Sequence, residues 1–190
     1  MSAQHRALVE LCDALDEARL PYMLVGGQAN AIWGEPRATL DIDVTVWAEG
    51  RSGVAAMLAS RFRSLVDDPD AFVRDTRVLP LAGFDGVRID VIFGLLPFEE
   101  EAVRRARTVP VGNRQVRVCT PEDLILMKIV SDRPRDLDDA RGVAMRRLSE
   151  LDLAYLEPRV RELAVLLERP EVSQRWEQWK EQAKGATSAS

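Results

Sequence analysis

Histidine is nearly missing from this chain. Of its 190 residues, His5 is the only one, and it lies at a terminus where a helix frays. That excludes a His-based triad, a histidine general base and a zinc site built from histidines. Cysteine is almost as scarce. Cys12 and Cys119 lie far apart and read as small buried hydrophobes of a reduced, cytoplasmic protein, not as a disulfide. No apolar run approaches the roughly 20 residues that span a bilayer. No basic segment followed by an apolar core opens the chain, so a signal peptide is not expected. No Gly-Lys-Ser/Thr follows the glycine pair at Gly26-Gly27, which excludes a Walker A loop, and the Rossmann fingerprint is missing too. There is no internal repeat and no heptad pattern.

What is there is ordinary in bulk: 46% hydrophobic and 30% charged residues, with a net charge of −5. Such a chain folds as one domain with a proper core, with room for a small helical appendage. It is not built as a whole to bind polyanions. The arginines at 104, 105 and 107, and those at 133, 135, 141, 146 and 147, cluster locally, which leaves a local basic groove open; the 104–107 cluster reads as a solvated face.

Hydrophobic periodicity predicts a helix from about Gln4 to Arg19, ended by Pro21. Tyr22 to Val25 reads as a buried strand, Gln28 to Trp33 as a helix stopped at Gly34, and Leu40 to Val46 as a second strand. A helix over Val54 to Arg63 is followed by strands at Phe72 to Leu79, Val87 to Phe93 and Gln115 to Val118. Thr120-Pro121-Glu122-Asp123 is a helix start, with a capping threonine, a first-turn proline and two acids at the positive end of the dipole. Helices follow from there, including Leu151 to Glu168 and Val172 to Lys184. The expected fold class is therefore α/β (α+β): a small mixed sheet flanked by helices over 1–118, a helical region over 119–184, and a disordered tail over 185–190.

The chemistry concentrates in Tyr22-Met-Leu-Val-Gly-Gly-Gln and Thr39-Leu-Asp-Ile-Asp-Val-Thr-Val. Asp41 and Asp43 are two apart, so a strand puts both carboxylates on one face and Ile42, Val44 and Val46 on the other. Paired acids on a half-buried strand repel each other, and a divalent cation removes the repulsion. Mg²⁺ takes one or two protein carboxylates and leaves its other positions to phosphate and water. Gly26 and Gly27 open a helix whose free N–H groups and dipole favour a phosphate. Asp90, in Val-Arg-Ile-Asp-Val-Ile-Phe, alternates onto one face with Arg88 as a candidate third acid. The bland alternatives are a solvated strand face, a tight turn, and an edge-strand acid paired with Arg88. Asp75 and Asp85 are weaker candidates, set among loop and turn residues. Trp176 and Trp179 read as a packing patch.

Gly26-Gly27, a short helix, Arg37-Ala-Thr-Leu-Asp-Ile-Asp43, a later strand aspartate, and Lys128 with Arg135-Asp-Leu-Asp-Asp139 resemble the nucleotidyltransferase superfamily related to DNA polymerase β. Within it the chain resembles the AbiEii/AbiGii-type toxin nucleotidyltransferases, over roughly residues 5–150. The resemblance implies that Gly26 and Gly27 form the phosphate-binding turn, and that Asp41, Asp43 and Asp90 bind Mg²⁺ (or Mn²⁺). It implies that Lys128 contacts the triphosphate, and that Asp136 and Asp139 line the nucleotide pocket. Arg37 and Thr39, entering the metal strand, touch phosphate or base. The implied activity moves a nucleoside monophosphate from an NTP to a hydroxyl on a tRNA 3′ end or a protein. The implied setting is a toxin–antitoxin or phage-defence pair with a cognate antitoxin. The chain departs from the superfamily at Gly27, where many members carry a serine. It also lacks a large acceptor-gripping domain, so a catalytically weak scaffold that binds nucleotide or a partner stays open beside the enzyme.

Overall fold

A computed structural model describes residues 2–188. They divide into two compact units that are not contiguous in sequence. One runs up to Gln28 and resumes over Ala38–Cys119; the other comprises Ala29–Arg37 and the chain from Thr120 onward.

The first unit is a sheet with helices. Ser2 caps α1 (Ala3–Glu17) by accepting from the His5 amide. His5 therefore sits inside a capped helix, not at a frayed end, with its imidazole 3.4 Å from the Asn113 side-chain oxygen. Ala7, Leu8, Leu11, Cys12 and Leu15 form the buried stripe of α1. Then come β1 (Tyr22–Leu24), α2 (Gly26–Trp33), β2 (Ile42–Val46), α3 (Val54–Arg61) and β3 (Arg63–Ser64). They are followed by α4 (Pro69–Thr76), β4 (Val78–Ala82), β5 (Arg88–Phe93), α5 (Pro97–Arg105), β6 (Arg107–Val111) and β7 (Arg114–Val118). Seven strands lie in the order β3-β4-β5-β2-β1-β7-β6. Pairs β2–β5 and β1–β7 are parallel, and the others are antiparallel. The class is thus mixed α/β, as expected. β1, an interior strand between β2 and β7, is buried throughout, as a strand covered on both faces must be. Cys12 and Cys119 are buried and are not joined in a disulfide.

Four elements differ from the sequence expectation, the first being β3, a short strand at Arg63–Ser64 where the preceding helix was expected to run on. The stretch expected as a strand from Phe72 begins as a helix, because Asp68 caps it by accepting from the Ala71 amide at 2.9 Å and Pro69 holds the first turn. Local capping outweighs the β-propensity of Phe72 and Val73. Arg77, at φ 63°, ends that helix and the strand starts one residue later. Helix α5 was not foreseen; its Glu99 carboxylate accepts from the amides of Leu95 and Leu96, each at 2.9 Å. Strand β6 pairs with β7 across Gly112-Asn113. It is an edge strand carrying Pro110, which is where a proline is tolerated and where the strand signal is weakest.

The second unit is helical: α6 (Pro121–Ile129), α7 (Pro134–Arg147), α8 (Leu153–Leu166) and α9 (Pro170–Ser188). Thr120 caps α6 by accepting from the Asp123 amide at 3.1 Å. Trp176 and Trp179 are buried, so they pack. Helix α9 continues through 185–188, which were expected in the disordered tail; 189–190 lie outside the described residues. Among the described residues no helix is long and apolar enough to cross a membrane.

Candidate active site

Two neighbouring strands of the first unit build an acid cluster. β2 and β5 run parallel with Asp43 beside Asp90 and Ile42 beside Ile89. Registered neighbours point the same way, so the two carboxylates leave one face of the sheet. Ile42, Val44, Ile89 and Val91 are buried, while Asp43 and Asp90 are half-buried. Asp41 is not in the strand but one residue before it, and is exposed.

The glycine pair presses against this cluster. The Val25 amide donates to the Asp43 carbonyl at 2.9 Å and holds the turn beside β2. Gly26 has φ +61°, and a Cβ there would lie 2.1 Å from Oδ2 of Asp43. Only glycine meets both demands. A Cβ at Gly27 would lie 2.6 Å from Oγ1 and 2.8 Å from Cβ of Thr39. The missing serine at this position therefore has a physical reason: Thr39 already fills the space. The first amides of α2 have no partner within the helix, and the turn that carries them lies against Asp43. Thr39 is anchored by its carbonyl, which accepts from Gln4 at 2.8 Å, and its hydroxyl lies 3.4 Å from the Asp41 carbonyl.

Arg88 joins the acids. Its Nε lies 3.1 and 3.0 Å from the two carboxylate oxygens of Asp90, and Nη2 lies 3.0 Å from Oδ1. The hydrogen bond that Arg88 donates to Asp90, then the charge of Asp90, raise the guanidinium pKa above its usual value against the opposing effect of burial; Asp41 and Asp43 add to it more weakly. The pairing of Asp90 with Arg88 is real, but β5 lies between β4 and β2 and is not an edge strand. Asp75 falls in α4 and Asp85 in the turn before β5.

Among the described residues, no group of three or more His, Cys, Asp or Glu side chains is arranged to hold a metal ion. The donor chemistry of Asp41 and Asp43 nevertheless fits a hard divalent cation, which needs only one or two protein carboxylates.

The second unit holds the other candidates in an ion network. Lys128, in the last turn of α6, donates to Asp136 at 2.6 Å and to Asp139 at 2.9 Å. Asp136 and Asp139 are three apart on α7, so both face it. Arg37 grips both oxygens of Asp139, at 2.9 and 2.8 Å. Ser131 donates to Asp136 at 2.9 Å. Burial works to raise the pKa of both acids, but the hydrogen bonds and charge of Lys128, joined at Asp139 by Arg37 and at Asp136 by Ser131, hold them below the usual carboxylate range. Lys128 is 7% exposed, so it is neither a solvated nor a snorkelling lysine. Arg135 and Asp138 are exposed. No spacing signal announced the Arg37–Asp139 pair, since 102 residues separate them. Ser131 could have been read as a local cap before Pro134.

No curated protein shows significant similarity to the chain. Solved structures do share its fold. The solution structure of antibiotic-resistance factor ANT(2'')-Ia matches with TM-score 0.60 and 19% identity, over 88% of this chain and 96% of that one. The complex of ANT(2'')-Ia with adenylyl-2''-tobramycin matches with TM-score 0.55 and 17% identity, over 92% and 99%. An antigenic nucleotidyltransferase-like protein from Paracoccidioides brasiliensis gives TM-score 0.55 and 16% identity, over 92% of each chain. The lincosamide antibiotic adenylyltransferase LnuA, lincomycin-bound, gives TM-score 0.51 and 14% identity, over 75% and 96%. At such identities the likeness speaks for the fold alone. The family assignment comes from the sequence itself: residues 5–184 match the family described as nucleotidyltransferase of unknown function (DUF6036), and the chain belongs to that family.

Proposed function

We propose that the protein transfers a nucleoside monophosphate from an NTP to a hydroxyl acceptor and releases pyrophosphate. The observation that carries this reading is the fit of Gly26 against Asp43: the turn that opens α2 lies against a carboxylate that has Asp90 beside it in register. Phosphate and cation sites are then adjacent, which is what a nucleotide triphosphate requires.

In this reading Asp41 and Asp43, joined by Asp90, hold Mg²⁺ or Mn²⁺. The ion, when bound, neutralises triphosphate charge and makes the acceptor hydroxyl more acidic. Gly26 and Gly27 let the phosphate chain reach the α2 amides. Asp90 orients the attacking hydroxyl and takes its proton. Thr39 stands where a side chain at position 27 would be, and its hydroxyl donates to a phosphate oxygen. Lys128, Arg37, Asp136 and Asp139 contribute a stiff ion network, with Lys128 already engaged by two carboxylates.

The acceptor has three candidate sources. Two of the solved structures that share the fold are complexes with adenylyl-2''-tobramycin and with lincomycin. The AbiEii/AbiGii-like features point instead to a tRNA 3′ end or a protein in a cytoplasmic toxin–antitoxin setting. Incubation with each labelled NTP, Mg²⁺ or Mn²⁺, and in turn tRNA, lysate protein, an aminoglycoside and a lincosamide separates them. Label moves to one acceptor class and chelator stops it; no transfer to any class, with no metal-dependent NTP binding, sinks the reading. The second reading, a weak or inactive nucleotide-binding scaffold, draws on the ion pair that occupies Asp90.

Thr39→Val tests the phosphate role of the hydroxyl. The KM for NTP is expected to rise about tenfold, the worth of one hydrogen bond to a charged group. An unchanged KM in steady-state assays removes Thr39 from the phosphate site.

A further inference from the structure

Asp43 and Asp90 leave one face of β2 and β5 in register, and Arg88 pairs with Asp90 there. Arg88 and Asp90 are two apart on the same strand, so alternation fixes both on that face. The Arg88 guanidinium uses Nε on both carboxylate oxygens, the lone pairs a cation would use. It also feels the charges of Asp41 and Asp43. The Arg88 side chain is 51% exposed and that of Asp90 21%. Such a pair is weak and reversible, and a long stem lets the guanidinium swing without leaving the site.

We propose that Arg88 is the resident counter-ion of Asp90 and competes with the divalent cation for it. It releases the carboxylate when a nucleotide's phosphate chain offers another anion. Arg88 is then a positioning residue: it offsets the charge of Asp90 without nucleotide and delays the engagement of Asp90 until substrate is present. The inference rests on the metal-dependent reading above and goes beyond it, because it assigns an order to the binding events.

Mn²⁺ titration followed by loss of the free-ion electron paramagnetic resonance signal tests this without turnover. The proteins are wild type, Arg88→Gln, Asp90→Asn, the double variant and Asp41→Asn/Asp43→Asn, each checked for fold by circular dichroism. Arg88→Gln is expected to bind Mn²⁺ about fivefold tighter than wild type, the scale of an exposed ion pair released. The gain vanishes in the Asp90→Asn background and narrows when a non-hydrolysable NTP analogue is added. Wild-type or weaker affinity in Arg88→Gln overturns the competition, as does a gain that survives Asp90→Asn. A gain that the analogue leaves unchanged overturns the hand-over. If Asp41→Asn/Asp43→Asn still abolishes binding in those cases, the metal reading stands and only the role of Arg88 falls. If no protein binds Mn²⁺, the metal reading falls and takes this inference with it.

Discussion

The Asp41→Asn/Asp43→Asn protein is expected to transfer nucleotide about a thousandfold more slowly than wild type, the scale of losing preorganised electrostatic stabilisation of a transition state. Its fold should not change. Asp41 is exposed and Asp43 half-buried, asparagine keeps the shape of both, and two like charges disappear. Unfolding free energy should stay within about 0.5 kcal/mol of wild type, as for most surface substitutions. The two readouts, labelled-NTP transfer and urea melts, must therefore separate. A parallel fall in both would show that the acids serve the fold. Transfer that persists would place the metal chemistry elsewhere. The single variants are expected to lose nearly as much as the pair, because residues acting as a unit are not additive.

How much of this was written in the sequence depends on the range of the interaction. The face that Asp43 and Asp90 each take was legible because alternation is local; the β2–β5 pairing that sets them side by side was not. Alternation in Val87 to Phe93 placed Arg88 and Asp90 on one face and Ile89 and Val91 on the other, and burial follows that split. The glycine pair was legible as a helix opening, but its reason was not. That Gly26 faces the carboxylate of Asp43, and Gly27 the side chain of Thr39, depends on how β2 returns beside β1. The same limit hid the Arg37–Asp139 pair. Arg37 looked like a residue entering the metal strand, yet it belongs with the helical unit. Where local signals competed, the cap won. Asp68-Pro69 opened a helix through residues whose side chains favour strands. Strand β6 was invisible because its charged, proline-bearing pattern looks like loop until β7 is there to pair with it.

The Lys128→Met protein is expected to lose about 3–5 kcal/mol of stability at neutral pH, the cost of removing one partner from a buried ion pair. Methionine replaces the aliphatic stem, so the loss isolates the ammonium group. That group sits 2.6 Å from Asp136 and 2.9 Å from Asp139, with its own side chain 9% exposed and that of Asp139 5%. Arg37 still holds Asp139 in the variant, which favours the lower end of the range. The pH dependence follows from the direction of the shifts. Both carboxylates titrate below their usual range in the folded protein. Their contribution is therefore fully present above the unfolded value, about 3.9 for Asp, and is lost as pH falls through the lower folded values. The gap between wild type and Lys128→Met in urea midpoint should be wide at pH 7 and should close as the acids protonate. Asp136→Asn added to Lys128→Met should restore part of the loss, because it removes a carboxylate left without its cation. An unchanged midpoint at pH 7 would mean that the ammonium is not held by its two acids. Lys128 would then be available to meet a triphosphate directly, as the family resemblance first implied.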